Sequence, residues 1–195
     1  MREKTSTACT NEFLSNQQPR NQWSLFLDRD GVISESIMGV YVKDFKDFKF
    51  KKDFLDIFPK IAPLFGYIFV VTNQSGVGKG LMTLQELETV HNKMVNKINV
   101  LPGKIDKIYS CIHLKDENCL CRKPRPGMAY MAKNDFPHID FEKAILIGDS
   151  DGDIGFGKSV GMKTILVNND NRHTDADYSV KDFYEIEKII KRLLK

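Results

Sequence analysis

Apolar residues in this chain fall into short continuous runs that end abruptly in polar residues, and between the runs they recur at helical spacing. The first run predicts a strand over Trp23 to Asp28, with Leu25, Phe26 and Leu27 followed at once by Asp28, Arg29, Asp30 and Gly31. Phe54, Leu55, Ile57, Phe58, Ile61 and Leu64 then lie on one face of a helix expected over Asp53 to Phe65, kept short or kinked by Pro59 and Pro63. Tyr67 to Val71 is apolar at every position, the signature of a strand buried on both faces, and it runs into Thr72-Asn73-Gln74-Ser75-Gly76. A helix follows from Thr83 to Asn99, Thr83 being a cap with Glu86 three residues on.

The alternation continues with a strand over Ile105 to Cys111, a helix opened by Pro126-Gly127-Met128 and running to Asp135, and a strand over Lys143 to Ile147. That strand closes on Gly148-Asp149-Ser150-Asp151-Gly152-Asp153; a helix to Ser159, strands at Thr164 to Val167 and near Tyr178 to Val180, and a last helix from Asp182 complete the chain. Strand and helix taking turns imply an α/β fold, a mostly parallel sheet covered by helices on both faces. Ligands of such sheets bind beyond the carboxyl ends of the strands, which is where the polar clusters fall. Two stretches stand apart. Val32 to Lys52 carries Tyr41, Phe45, Phe48 and Phe50 among lysines and aspartates and is expected to form a short hairpin or flap; residues 1–22 are polar and read as a leader to a domain over 23–195.

Composition narrows the class. A chain of 195 residues with 42% hydrophobic and 28% charged residues is expected to form one domain with a full core. A net charge of +3 is too small to argue for nucleic acid or an anionic membrane as partner. No apolar run is long enough to span a bilayer, and Met1 to Gln22 lacks the apolar centre of a secretory signal, so a cytoplasmic monomer acting on a small molecule is expected.

Asp28 and Asp30 are one residue apart, so in a strand they face one pocket while Arg29 faces away. Carboxylates held that close repel unless a cation lies between them or one keeps its proton. With Asp149 at a neighbouring strand end they suit Mg²⁺, which takes a few carboxylates along with water and phosphate oxygens. Thr72 and Asn73, ahead of a glycine-rich turn, offer donors to a phosphate. The run Gly76-Val77-Gly78-Lys79-Gly80 does not have the spacing of a nucleotide-binding P-loop. Lys123 adds positive charge beside Pro124. Together these residues suit phosphoryl transfer: Asp28 as nucleophile, Asp30 as acid and base, Mg²⁺ and Lys123 on the phosphoryl oxygens, and Asp153 orienting the site without binding metal.

Cys111-x-His113-x₅-Cys119-x-Cys121 is a Cys₃His set suited to a closed structural zinc site, which would stiffen its loop and place Arg122 and Lys123. Cys9 has no visible partner, and His91, His138 and His173 are read as surface or helix-cap residues. A zinc loop with basic neighbours also admits a different class, a nucleic-acid-binding module, against which stand the weak charge and the lack of aromatic residues interleaved with basic ones.

Asp28-Arg29-Asp30-Gly31, Thr72-Asn73, Lys123 and Gly148-Asp149 with Asp153 resemble the four signature motifs of the haloacid dehalogenase (HAD) superfamily phosphatases, over residues 24–168. The resemblance implies a Rossmann-like three-layer sandwich without a large cap domain. It also implies Mg²⁺ held by Asp28, the backbone carbonyl of Asp30, and Asp149. The zinc-loop pattern Cys-x-His…Cys-x-Cys-Arg-Lys-Pro is similar to the branch containing heptose bisphosphate and histidinol-phosphate phosphatases, in which Arg122 would contact the distal part of the substrate. Gly39-Val40-Tyr41-Val42, Thr72 to Val77 and Arg122 to Met128 are closer to the heptose enzymes, whereas the five-residue gap between His113 and Cys119 is similar to the histidinol ones.

Overall fold

The computed structural model describes residues 22–36, 41–167 and 174–194. Six strands form one sheet: β1 (Ser24–Leu27), β2 (Tyr67–Asn73), β3 (Lys107–Cys111), β4 (Ala144–Gly148), β5 (Lys163–Leu166) and β6 (Tyr178–Ser179). Their order across the sheet is β3-β2-β1-β4-β5-β6, and every neighbouring pair is parallel.

Side-chain alternation along β1 divides the core in two. Leu25 and Leu27 join a cluster with α1 (Lys52–Ile61), α2 (Leu84–Ile98) and α5 (Ile186–Leu193), containing Phe54, Phe58, Met94, Phe183 and Ile190. Phe26 points the other way, into a cluster with α3 (Gly127–Asp135) and α4 (Asp151–Ser159) that holds Phe69, Met128, Ala132 and Phe156. Helices on both faces make this the three-layer α/β arrangement expected from the alternation. No helix among the described residues is long and apolar enough to cross a membrane.

β1 is central, and its register sets Leu27 beside both Val70 and Ile147. The ladder goes one residue further, the Asp28 amide donating to the Ile147 carbonyl at 2.9 Å. The carboxyl ends of β1, β2 and β4 therefore come out together, carrying Asp28, Thr72 and Asp149 to one edge. α2 begins where expected, with Thr83 and Glu86 bonded in a reciprocal capping box.

Two elements differ from expectation. α1 stops at Ile61 and gives way to a single 3₁₀ turn, Ala62–Leu64, with Pro63 near its start. The segment after β1 makes no hairpin ladder among the described residues: one antiparallel bridge joins Ser34 to Phe50, and Phe45–Asp47 is a 3₁₀ turn. Two backbone bonds flank that bridge, and Phe45, Phe48 and Phe50 pack beside it, Phe45 stacked on Phe48 and Phe50 edge-on to both, with centroids 4.9–6.3 Å apart. Gly39, Val40, Cys9, His173 and the expected leader up to residue 21 lie outside the described residues.

Candidate active site

Lys123 is the hub. Its ammonium donates to Asp28 Oδ1 at 2.7 Å, to the Val71 carbonyl at 2.8 Å and to Asp153 Oδ1, so all three of its protons are matched. The Lys123 and Asp153 side chains are 3% and 0% exposed. Burial opposes the charge on Lys123, but Asp153 and Asp28 outweigh it and hold the ammonium above its usual range. Asn73 fixes the main chain at this point: its Oδ1 accepts from the Lys123 amide at 3.1 Å and its Nδ2 donates to the Lys123 carbonyl at 3.3 Å. The amide expected to face a phosphate thus has both ends on Lys123.

Asp153 lies at the start of α4, where it and Ser150 form a second reciprocal capping box. Its Oδ2 accepts from the Ser150 amide and hydroxyl while Oδ1 meets Lys123, so both oxygens are engaged. Gly148 admits this arrangement; a Cβ there would lie 2.1 Å from the Asp153 Cβ.

Carboxylate oxygens of Asp28, Asp149 and Asp153 lie within 4.8 Å of one another. Burial, then the charge of Asp153, pushes the Asp28 carboxyl well above its usual range against the pull of Lys123. The same two causes raise Asp149 to about 6. Two buried carboxylates and a half-buried third facing one ammonium are an excess of negative charge that a small hard cation would relieve, and oxygen donors are what Mg²⁺ takes. The donor set fits that ion.

Asp30 stands beside this group, close enough for its charge to act on Asp28 and Asp149, with its side chain held by other partners. It accepts from Arg29 through two bonds, Nε to Oδ1 at 3.0 Å and Nη2 to Oδ2 at 2.8 Å, from Ser34 Oγ at 3.2 Å and from Gln74 Nε2 at 2.8 Å. Gln74 also donates to the buried Thr72 hydroxyl at 2.8 Å. Asp30, Asn73, Gln74, Tyr41, Lys46 and Lys49 line a cavity of about 390 Å³.

The structure corrects the surface or helix-cap reading of His91, which is 7% exposed and 3.0 Å from Arg29 Nη1. Arg29 and Gln74 were likewise not singled out. A buried guanidinium requires acceptors. The sequence signal was the arginine's parity with Leu25 and Leu27, which sends it toward the α2 face; its partner, sixty-two residues on, carried no signal.

At the end of β3, four ligand atoms converge. Cys121 Sγ lies 3.1 Å from Cys111 Sγ and 3.6 Å from Cys119 Sγ, the latter two are 3.5 Å apart, and His113 Nδ1 is 3.2 Å from Cys121 Sγ. Sulfurs bound to one tetrahedral zinc sit roughly 3.8 Å apart, whereas a disulfide is about 2.05 Å long. The four atoms therefore fit zinc and are no disulfide set. Arg122, next along, donates from Nη1 to the His113 carbonyl at 3.4 Å and so lies against this loop.

A family model described as HAD-hydrolase-like matches residues 120–193. The D-glycero-beta-D-manno-heptose-1,7-bisphosphate 7-phosphatase of Helicobacter pylori is 34% identical over 172 residues, covering 86% of this chain and 97% of the relative. The D-glycero-alpha-D-manno-heptose-1,7-bisphosphate 7-phosphatase of Campylobacter jejuni is 36% identical over 164 residues, covering 84% and 92%. Among solved structures, the D,D-heptose 1,7-bisphosphate phosphatase of B. bronchiseptica, crystallised with magnesium and phosphate, superposes with a TM-score of 0.77 at 24% identity, covering 88% of this chain and 99% of that one. By its motifs, its parallel sheet and these relatives, the chain belongs to the HAD-like hydrolases, in the family of the D-glycero-D-manno-heptose-1,7-bisphosphate 7-phosphatases.

Proposed function

We propose that this chain is a Mg²⁺-dependent phosphatase that removes the 7-phosphate of D-glycero-D-manno-heptose 1,7-bisphosphate. The observation that carries this reading is Asp28, buried at the end of the central strand against Lys123 and beside Asp149, in a chain whose relatives bear that name. Those relatives give the histidinol-phosphate alternative no support.

Asp28 attacks phosphorus, the ester oxygen leaves with a proton from Asp30, and an aspartyl-phosphate forms. A water then attacks that phosphorus while giving its proton to Asp30, which frees phosphate and restores both side chains. Lys123 balances the charge that builds on the phosphoryl oxygens, fixed in place by Asp153, Asn73 and the Val71 carbonyl. The Thr72 hydroxyl, which accepts from Gln74, and the main chain beyond it would donate to the phosphate. Asp28, Asp149 and the backbone carbonyl of Asp30 would hold Mg²⁺, since the Asp30 side chain and both oxygens of Asp153 have other partners. That ion, when bound, draws charge from the phosphoryl group and lets two anions meet. Cys111, His113, Cys119 and Cys121 would hold a structural zinc, and Arg122 would reach the distal end of the sugar from that loop.

The test is a panel of phosphate esters at equal concentration, containing both anomers of the heptose bisphosphate, histidinol phosphate and simple hexose phosphates. The expected result is the largest kcat/KM on a heptose bisphosphate with release of the 7-phosphate. A preference for histidinol phosphate would overturn the substrate assignment and leave the chemistry standing.

A further inference from the structure

We infer that Arg29 and His91 form a positioning pair that fixes the carboxylate of Asp30, an inference that rests on the acid/base role assigned to Asp30 above. Arg29 follows Leu25 and Leu27 to the α2 side of the sheet and is 2% exposed. A guanidinium buried this deeply needs a partner on each edge, because its N–H groups have lost water. One edge, Nε and Nη2, grips both oxygens of Asp30. The other is fixed by His91, whose Nε2 lies 3.0 Å from Nη1.

The chemistry of this second contact is decided by the donor. An arginine N–H cannot accept, so the ring nitrogen facing it carries a lone pair, and His91 is neutral with its proton on Nδ1. Burial, then the charge of Arg29, depresses the ring to about 3, in keeping with that form. A carboxylate in place of His91 would compete with Asp30 for the guanidinium. The neutral ring supplies a hydrogen bond and no charge, so it holds the guanidinium without competing for it. His91 thereby sets the plane of the guanidinium, and that plane sets the orientation of Asp30. Ser34 and Gln74 complete the ring of donors around a side chain that is 32% exposed beside the cavity.

Leaving-group dependence gives the test. An alkyl phosphate such as the heptose bisphosphate needs a proton on its departing oxygen, whereas p-nitrophenyl phosphate releases a stable phenolate and does not. Because kcat/KM reports only the steps up to transfer onto Asp28, it isolates the half-reaction in which Asp30 is the acid. His91→Leu is expected to lower kcat/KM about tenfold or more on the heptose bisphosphate and less than about threefold on the aryl ester, since general acids contribute roughly 10²–10⁴. His91→Gln, whose amide oxygen can accept from Arg29, should restore most of the loss. In an Asp30→Asn background, His91→Leu should have no further effect on the alkyl substrate. Equal losses on both substrates, or no loss, would overturn the pair. If Asp30→Asn itself fails to separate the two substrates, the acid/base assignment falls and the pair falls with it, so the two failures are distinguishable. Should His91→Leu not fold, Arg29→Lys carries the same comparison, because an ammonium cannot span Asp30 and His91 together.

Discussion

Gly31 and Asp149, far apart in the chain, are in direct contact: a Cβ on Gly31 would lie 1.9 Å from Asp149 Oδ2. Gly31 also has a φ of +88°, where a side chain is strained. The turn out of β1 and the placement of a carboxylate after β4 are therefore one feature. Gly31→Ala is expected to cost about 1–2 kcal/mol in backbone strain. It should also displace Asp149, so that the Mg²⁺ concentration at half-maximal activity rises about tenfold or more in titrations of kcat.

Asp28→Asn removes the nucleophile and little else. Lys123 keeps Asp153 and the Val71 carbonyl as acceptors, and a charge whose burial is unfavourable disappears. Turnover should fall by about a thousandfold or more, while Tm by thermal unfolding stays level or rises.

His91 gives a stability effect with a definite sign. The folded ring titrates at about 3, whereas an unfolded histidine titrates at about 6.5. Between those values the unfolded chain binds a proton that the folded chain refuses. The contribution is whole above pH 6.5 and is lost as pH falls toward 3, at roughly 1.4 kcal/mol per pH unit. Asp149, raised to about 6, acts with the opposite sign, holding a proton in the folded state that the unfolded chain gives up. Denaturant titrations of the parent and His91→Gln from pH 7.5 to 5 separate the two: the acid loss should be shallower in the variant, while the Asp149 effect is common to both.

Removing one of the four residues proposed to hold zinc should act on the loop first and the chemistry second. Cys119→Ser is expected to lose bound zinc, to lower Tm by about 5 °C or more at 2–4 °C per kcal/mol, and to lower activity because Lys123 follows that loop in the chain. Metal analysis beside a thermal scan checks it. Full zinc content with an unchanged Tm would remove the structural role.

The framework was legible because its signals are local. Uninterrupted apolar runs became the inner strands, and the Thr83–Glu86 pair marked the start of α2 to the residue. The polar ends of three such runs were enough to place Asp28, Thr72 and Asp149 at one edge, since a parallel sheet brings its carboxyl ends together. What escaped depends on pairs far apart in the chain. Alternation gives the side to which Arg29 goes but not that His91 waits there, and it does not show a long guanidinium curling back to its neighbour Asp30. Asn73 read as a phosphate donor from its motif, while its two bonds go to a main chain fifty residues on. The stretch after β1 read only as a short hairpin or flap because aromatic and polar residues mix there; a single antiparallel bridge and ring packing, which leaves no period, organise it.

The most direct measurement is a crystal structure of the Mg²⁺-loaded protein with beryllium fluoride, which mimics a phosphoryl group on a carboxylate. Phosphoryl transfer to Asp28 predicts beryllium bonded to an Asp28 oxygen, with Lys123 and the metal on its fluorides. Beryllium fluoride bound to any other side chain, or held away from Asp28 in a fully metal-loaded site, would contradict it.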